Sequence, residues 1–283
     1  MAIRTRRLFA ILCVTVAIGL TCLEVHSQDL NTVLMNGTYE IYGPSATVLG
    51  STTFGTVFFM GKPQKADPEK GYFVLITAAH VLNEISGDTA TLVLRKKDVD
   101  GIFNKSPIPI SIRSKGSNLY RTNPDADVAV IYLSIPIGME PMLLPIGFLA
   151  DDARLEQLEV HPGDELLCLG FPLAIDINGF PVVRSGLLAS YPITPSRTVK
   201  RFYYNFHIFP GNSGGPVYFS FSGRTYGNAM RVGQEQGVIG LVSQQVTSNL
   251  PEFKDAPLDV SIVVPSLYIT DTIASLPDAP DAP

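Results

Sequence analysis

The most informative segment of the sequence is Pro210–Val217, which reads PGNSGGPV. Its glycines allow the backbone to bend sharply around Ser213, so that amide N–H groups can point at an oxyanion formed beside the serine. The apolar residues that follow this turn are typical of a β-strand. The stretch therefore predicts a serine nucleophile in a glycine-rich turn that leads into a strand.

A serine hydroxyl is a weak nucleophile at neutral pH, because it needs an imidazole to accept its proton and a carboxylate to orient that imidazole. Two segments upstream of the turn supply these groups. The histidine is His80, at the end of the segment TAAH. The carboxylate is Asp125 or Asp127, both of which lie in the segment DADVAV.

The same serine also satisfies the G-x-S-x-G pattern of the α/β-hydrolases. In that fold the catalytic histidine follows the serine along the chain. All four histidines here precede it: His26, His80, His161 and His207. The alternation of strands and helices that an α/β-hydrolase needs is also missing from the sequence, so we reject this interpretation.

The rest of the chain consists of short apolar or alternating runs separated by turn residues, which predicts an all-β barrel or sandwich. A Pro- and Met-rich stretch at 136–164 differs from the runs on either side, and we interpret it as a crossing between two halves. Only one segment, after Pro265, has a convincing helical pattern.

Three segments, Thr77–His80, Asp127–Val130 and Pro210–Val217, resemble the active-site segments of the chymotrypsin/trypsin-like serine peptidases. The closest resemblance is to the bacterial HtrA/Deg-like trypsin-like peptidase domain without a PDZ module, and it covers about residues 45–275. The resemblance implies an all-β fold of two antiparallel six-stranded β-barrels, a chymotrypsin-like double barrel, with a C-terminal helix.

The resemblance also implies a role for each site residue. Ser213 is expected to be the nucleophile, His80 the general base, and Asp127 the carboxylate that orients His80 and stabilises its protonated form. The oxyanion hole is expected at the backbone N–H groups of Gly211 and Ser213. Asn212 stands where zymogen-type enzymes have an aspartate that pairs with a freshly cut N-terminus, so we expect no activation of that kind.

On the same resemblance, the substrate pocket is expected to involve His207, Ser243, Gln244 and Gln245. His207 lies six residues before the serine, where the family has the base of the pocket. The lack of an acidic residue there argues against a preference for Arg or Lys. A histidine at the base would favour acidic or polar side chains. The alternative is that His207 packs on Tyr203, Tyr204 or Phe206 in the barrel wall.

The N-terminus predicts export. Residues 1–27 combine three arginines, an uncharged apolar run at Leu8–Leu23 and a cleavage site after Ser27, which is the pattern of a secretory signal peptide. The alternative is an uncleaved membrane anchor, although the run is short for a bilayer crossing. We expect a periplasmic or extracellular protein with no stable membrane span after cleavage.

The expected organisation combines these segments. It comprises a signal peptide at 1–27, an N-terminal β-barrel carrying the histidine and aspartate at 28–140, an inter-barrel linker at 141–164, a C-terminal β-barrel carrying the serine at 165–264, a C-terminal helix at 265–276 and a disordered tail at 277–283.

Composition limits the partners. The 283 residues are 46% hydrophobic and 17% charged, which excludes an intrinsically disordered chain. The net charge of −5 and the lack of a long basic run argue against binding nucleic acid. Of the three cysteines only Cys168 lies outside the signal segment, so no intrachain disulfide is expected, and its apolar neighbours predict a buried thiol.

We therefore expect an exported serine endopeptidase that hydrolyses protein or peptide substrates by a Ser-His-Asp triad through an acyl-enzyme, with no cofactor and no metal. One alternative is a binding or chaperone-like protein that has the protease fold and little turnover. Another is an esterase or a self-cleaving protease on the same fold.

Overall fold

The computed structural model describes residues 29–65, 67, 70–136, 139, 141–226 and 229–278. The predicted signal peptide at 1–27 and residues 279–283 of the predicted tail lie outside these ranges. Within them, no helix combines the length and the apolar character that crossing a bilayer requires.

The described residues are mostly β-structure, as the sequence predicts. The strands, in chain order, are β1 (Thr38–Pro44), β2 (Thr52–Pro63), β3 (Gly71–Thr77), β4 (Thr89–Lys97), β5 (Phe103–Ser111), β6 (Arg113–Ser114), β7 (Ser117–Asn118), β8 (Arg121–Thr122), β9 (Ala129–Leu133), β10 (Leu144–Pro145), β11 (Glu165–Gly170), β12 (Val182–Leu188), β13 (Phe202–Asn205), β14 (Pro216–Tyr226), β15 (Ala229–Thr247) and β16 (Pro257–Pro265). The helices are α1 (Leu30–Gly37), α2 (Ala79–Asn83), α3 (Asp152–Gln157), α4 (Ser196–Val199) and α5 (Ser266–Ala274).

The second half of the chain forms a closed six-stranded barrel in the order β11-β12-β13-β16-β15-β14. Closure is made by the antiparallel pairing of β14 with β11, where Cys168 lies opposite Val217. Cys168, Phe202 and Phe219 belong to the cluster that fills this barrel. Burial raises the pKa of the Cys168 thiol to about 12, so the thiol stays protonated. The prediction of an all-β fold with a closed six-stranded barrel is confirmed here.

The first half forms an eight-stranded sheet in which β5-β4-β1-β2-β3-β9-β8 lie side by side and β10 pairs in parallel with β2. Among the described strands, β5 and β8 at the two ends do not pair with each other, whereas the sequence predicts a second closed barrel. Strands β5 and β8 both have features that are typical of strands at the edge of a sheet. Strand β5 contains Pro107 and Pro109, which have no N–H to donate, and β8 is only two residues long.

A shared core joins the two halves. The cluster beneath the sheet, which includes Phe58, is continued by Leu169 and Leu241 from the barrel. Helix α5, the helix expected at 265–276, packs Ile269 into the same cluster. The last helix of the chain therefore covers the core of the sheet, although it follows the final strand of the barrel.

The stretch expected to be a linker, 141–164, contains regular structure. It holds β10, a 3-10 turn at Ile146–Phe148 and helix α3. Helix α3 begins after Asp151, whose side chain caps it by accepting a hydrogen bond of 2.8 Å from the N–H of Arg154.

The start of the predicted tail is bonded to the sheet. The Lys62 ammonium donates to the carbonyl oxygen of Pro277 at 3.1 Å, and Lys65 forms an ion pair of 2.6 Å with Asp278. Disorder of the tail stays a prediction, and residues 279–283 lie outside the described ranges.

Candidate active site

Strand pairing brings His80 and Asp127 together. Strand β3 pairs antiparallel with β9, and Thr77 at the end of β3 lies opposite Ala129 at the start of β9. His80 lies in α2, which follows β3 almost at once, and Asp127 lies just before β9. The two side chains consequently stand at the same edge of the sheet.

Ser213 reaches this edge from the barrel, in the turn that precedes β14. The carbonyl oxygen of Ser213 accepts a hydrogen bond of 2.8 Å from the N–H of Thr56 on β2, which ties the turn to the sheet. Ser213, His80 and Asp127 line one cleft of about 950 Å³. The structure thus brings together the three residues that the sequence singles out as nucleophile, base and acid.

The Asp127 carboxylate holds His80 by two hydrogen bonds. His80 Nδ1 lies 2.7 Å from Asp127 Oδ2, and the backbone N–H of His80 donates to Oδ1 at 3.0 Å. An ionised carboxylate only accepts hydrogen bonds, so Nδ1 carries the hydrogen and Nε2 keeps its lone pair. The Ser243 hydroxyl donates to Oδ2 at 2.6 Å and steadies the acid from the barrel side.

These contacts shift both pKa values in opposite directions. Burial on its own lowers the pKa of His80, but the hydrogen bond and negative charge of Asp127, with the charge of Glu84, raise it above the ordinary histidine value. Burial on its own raises the pKa of Asp127, but its hydrogen bonds to His80 and Ser243 and the charge of His80 lower it below the ordinary value. The pair therefore combines an ionised acid with a strengthened base.

The Ser213 hydroxyl is turned toward the barrel. It donates a hydrogen bond of 3.0 Å to the carbonyl oxygen of Ser243, and among the described residues it makes no hydrogen bond to His80. Transfer of its proton to His80 requires the hydroxyl to leave the Ser243 carbonyl by rotation about the Cα–Cβ bond. Such rotations between staggered positions take picoseconds to nanoseconds in accessible side chains.

The peptide between Pro210 and Gly211 has a fixed direction. The Pro210 carbonyl oxygen accepts a hydrogen bond of 2.8 Å from the N–H of Leu173. Because a trans peptide is planar, the Gly211 N–H points away from Leu173. Gly211 has φ of +98°, and a Cβ there would lie 2.1 Å from the Phe171 carbonyl oxygen, so only glycine fits.

Two backbone donors stay available in this turn. Within the described part of the chain, neither the Gly211 N–H nor the Ser213 N–H donates to another residue. The carbonyl groups on either side are occupied, since Thr56 donates its hydroxyl to the Gly211 oxygen at 2.6 Å and its N–H to the Ser213 oxygen. The turn therefore offers two backbone N–H groups as donors, at the two residues where the resemblance implies an oxyanion hole.

The alternative acid, Asp125, lies apart from His80. It is exposed on the rim of the cleft, and one of its oxygens is 4.0 Å from the Lys200 ammonium. His161 is also remote, in an exposed turn beside Asp164. The structure thus places Asp127, rather than Asp125, against the imidazole.

Three residues of the expected pocket, Ser243, Gln244 and Gln245, line the cleft from β15. The Gln245 amide spans the wall, because its oxygen accepts from the Ile208 N–H at 2.7 Å and its nitrogen donates to the Val260 carbonyl at 2.9 Å. Three buried aliphatic residues of the barrel also line the cleft: Ile208, Ile262 and Val264.

His207, the residue expected at the pocket base, is not among the residues that line the cleft. Its Nδ1 atom lies 3.2 Å from an oxygen of Asp259, and its ring packs on Phe209 with 4.7 Å between centroids. The aromatic contact expected as the alternative is therefore present, although its partner is Phe209 instead of Tyr203, Tyr204 or Phe206.

Two contributors were not singled out in the sequence. Thr56 holds two carbonyl groups of the Ser213 turn, but it sits in an ordinary strand segment, FGTV. Glu84 raises the pKa of His80 by its charge, because it lies four residues after His80, at the C-terminal end of α2. The spacing of four residues could have indicated this neighbour once a helix was assigned there. Within the described ranges, no three His, Cys, Asp or Glu side chains are grouped so that they could hold a metal ion.

No protein-family model matches the chain, and no curated protein matches its sequence. Solved structures that it resembles include the protease Anisep from Arthrobacter nicotinovorans, with 14% identity, TM-score 0.48 and coverage of 85% of this chain and 94% of that one. The thermostable serine protease AL20 from an extremophilic microorganism has 12% identity, TM-score 0.47 and coverage of 85% and 96%. The active form of the Rv3671c protease from M. tuberculosis has 14% identity, TM-score 0.49 and coverage of 92% and 88%.

Proposed function

We propose that this chain is a serine-type endopeptidase in which Ser213 attacks the substrate carbonyl, His80 is the general base and Asp127 orients His80. The observation that carries the proposal is the shared cleft, with Asp127 bonded to His80 on one side and two unused N–H groups beside Ser213 on the other. Acyl transfer to a serine needs a base for the hydroxyl proton and donors for the oxyanion.

In the first half of the reaction, Ser213 Oγ bonds to the carbonyl carbon while its proton passes to His80 Nε2. The carbonyl oxygen becomes an oxyanion, which the N–H groups of Gly211 and Ser213 stabilise. The C–N bond then breaks, the amine leaves with the proton from His80, and an ester stays on Ser213. Water repeats the cycle, and the acid product leaves when Ser213 regains its proton.

The proposed substrate is a protein or peptide with an aliphatic side chain before the bond that is cut. Ile208, Ile262 and Val264 support this, because they line the cleft and are buried. Three charged residues that line the cleft, Asp125, Lys200 and Arg201, are exposed, and ion pairs with exposed groups contribute little binding energy in water.

Export belongs to the same proposal, because the arginines, the apolar run and Ser27 in 1–27 form a signal-peptide pattern. We also propose that the two halves form a chymotrypsin-like enzyme of the HtrA/Deg-like branch. The segment PGNSGGPV supports this assignment. If the chain is exported, we expect it to be secreted with Gln28 as its first residue. Mass spectrometry of the secreted protein identifies that residue.

A second candidate is a binding protein with the same fold and little turnover. The observation that favours it is the Ser213 hydroxyl, which donates to the Ser243 carbonyl oxygen and leaves His80 without its partner. If the Ser213 hydroxyl stays on the Ser243 carbonyl oxygen, the protein would bind peptides in the cleft, but Ser213 would not be acylated.

A fluorophosphonate probe separates the two candidates, because it reacts only with a serine that a base has activated. We expect the wild-type protein to be labelled, with the modified peptide containing Ser213. Labelling disappears in Ser213→Ala and His80→Ala and persists in Ser222→Ala, a matched control that removes an exposed serine beside a glycine. A folded wild-type protein that stays unlabelled between pH 6 and 9 contradicts the peptidase and supports the binding protein.

A further inference from the structure

Arg95, on β4, is a buried cation outside the cleft. Its side chain belongs to a residue only 8% exposed, and among the described residues no carboxylate forms an ion pair with it. The guanidinium donates to four backbone carbonyl oxygens at 2.6 to 3.1 Å and lies against the rings of Tyr39 and Phe180, 4.1 and 4.2 Å from their centroids. Burial lowers the pKa of Arg95 to about 10, so it is still charged at neutral pH.

The four carbonyl groups come from three parts of the chain. Met35 and Asn36 lie at the end of α1, and Thr38 begins β1. The fourth, Gly179, lies in the loop between β11 and β12 of the barrel, and its bond to Arg95 is 2.6 Å long. Arg95 therefore joins the barrel loop to the sheet.

The loop between β11 and β12 packs closely against the Arg95 side chain. Gly179 has φ of +80°, and a Cβ there would lie 3.1 Å from Arg95 Cγ, so any other residue would be strained and would shift the loop or Arg95 by a few tenths of an ångström. Its N–H donates to Asp176 Oδ1 at 2.6 Å, and the other oxygen of Asp176 pairs with Lys105 on β5. The loop is thus held to the sheet at two places, by Arg95 at Gly179 and by Lys105 at Asp176.

The same loop touches the proposed oxyanion hole. The Leu173 N–H holds the Pro210 carbonyl, and Leu173–Ala174 has two successive residues with φ of 52° and 57°. Left-handed backbone at residues other than glycine persists only where the surroundings hold it on both sides. On the near side, the Phe171 N–H is bound by the Thr56 hydroxyl at 3.2 Å, and on the far side the loop is bound by Arg95.

We propose that Arg95 is a positioning residue for the oxyanion hole, an inference that rests on the proposed function. By holding Gly179 on the sheet, it keeps Leu173 in its left-handed conformation and its N–H on the Pro210 carbonyl. That hydrogen bond sets the direction of the Gly211 N–H, because the peptide is planar. Without Arg95 the loop relaxes, the peptide can rotate, and one of the two oxyanion donors is lost for part of the time.

The test measures peptide hydrolysis and the binding of a peptide boronic acid, which adds to the serine and imitates the tetrahedral intermediate. We expect Arg95→Ala to lower kcat by about 10- to 100-fold with KM within about threefold, because complete loss of one oxyanion donor costs about 10²- to 10³-fold in kcat. The affinity for the boronic acid falls by a similar factor. Millimolar methylguanidinium, which fits the site left by the side chain, restores part of kcat.

Two variants serve as controls. Leu92→Ala removes a buried side chain from the same strand, so we expect it to lower Tm at least as much as Arg95→Ala while kcat stays within about twofold. Gly179→Ala keeps the guanidinium and displaces the loop, so we expect the same loss of kcat with no rescue by methylguanidinium. If Arg95→Ala does not fold, Gly179→Ala gives the answer.

An unchanged kcat in Arg95→Ala or, where that variant does not fold, in Gly179→Ala overturns the positioning role. So does a loss of kcat in Leu92→Ala as large as that in Arg95→Ala. In either case wild-type labelling and hydrolysis persist, and the peptidase proposal stands. A wild-type protein that neither hydrolyses peptides nor reacts with fluorophosphonate overturns both proposals together.

Discussion

The acid–base half of the cleft is built by side chains, whereas the nucleophile half is built by backbone. Asp127 holds the His80 ring and its N–H group, and one hydroxyl, that of Ser243, holds the acid. In the nucleophile half, the carbonyl groups around Gly211 and Ser213 are held by Thr56 and by the loop after β11. The first half therefore depends on one pair of residues, and the second depends on contacts between the sheet and the barrel.

This difference follows from where each half comes from. His80 and Asp127 follow and precede two paired strands of one sheet, so this pairing brings them together, and the Ser243 hydroxyl is the contact that the barrel adds. Ser213 lies in the barrel, and its turn keeps its place against the sheet only through contacts such as those of Thr56. Changes in the first half are expected to abolish the chemistry, and changes in the second to weaken it by degrees.

The largest effect is expected in the acid–base half, from Asp127→Asn. The substitution keeps the shape of the side chain, but it removes the charge that raises the pKa of His80 and can leave the imidazole in the wrong tautomer. We expect kcat to fall by about 10⁴-fold, with Tm close to that of wild type. Steady-state hydrolysis of a peptide substrate and thermal unfolding by circular dichroism measure the two quantities.

Asp125→Asn is the matched control, because it makes the same chemical change two positions away, at the exposed rim. It is expected to leave kcat within about threefold of wild type. A larger loss in Asp125→Asn than in Asp127→Asn would reverse the assignment of the acid.

A smaller effect is expected in the nucleophile half, from Thr56→Val. The side chain is fully buried, and the substitution keeps its shape while leaving the Gly211 carbonyl and the Phe171 N–H without their partner. Each unpaired buried group costs about 1–3 kcal/mol. We expect the free energy of unfolding to fall by about 2–6 kcal/mol, because two groups lose their partner. We expect kcat to fall by roughly tenfold, since the turn loosens without losing either oxyanion donor outright.

Thr56→Ser supplies the comparison, because it restores the hydroxyl and removes one methyl group. Its kcat is expected to equal that of wild type, with a loss of stability of about 1 kcal/mol. If Thr56→Ser loses as much kcat as Thr56→Val, packing of the methyl group rather than hydrogen bonding supports the turn.

The same contrast explains what the sequence could predict. The triad candidates lie in short segments beside strands, and a histidine after one strand and an aspartate before another meet when those strands pair. The glycines of the turn likewise report a backbone conformation that other residues cannot adopt, as at Gly211. Such signals are local, and the structure places these residues in one cleft.

The features that escaped prediction depend on residues distant in sequence. Thr56 and Gly211 are 155 positions apart, and Arg95 and Gly179 are 84 apart, so no local pattern connects them. The closure of the first barrel was predicted from short alternating runs, and such runs do not report whether end strands pair. His207 was placed by counting back from the serine, and the turn of the chain directs its ring to Phe209 instead.

The smallest effect is expected again in the acid–base half, from Glu84→Gln. The active form of His80 is neutral, so kcat/KM rises as pH rises through its pKa, which lies above the ordinary value of about 6.5. The charge of Glu84 raises that pKa, so its removal moves the acid limb of the pH profile of kcat/KM to lower pH, and activity at low pH increases. Asp88→Asn, an exposed carboxylate that does not act on His80, is expected to leave the limb in place. An upward shift in Glu84→Gln, or an equal shift in both variants, would show that His80 is not the group titrating in catalysis.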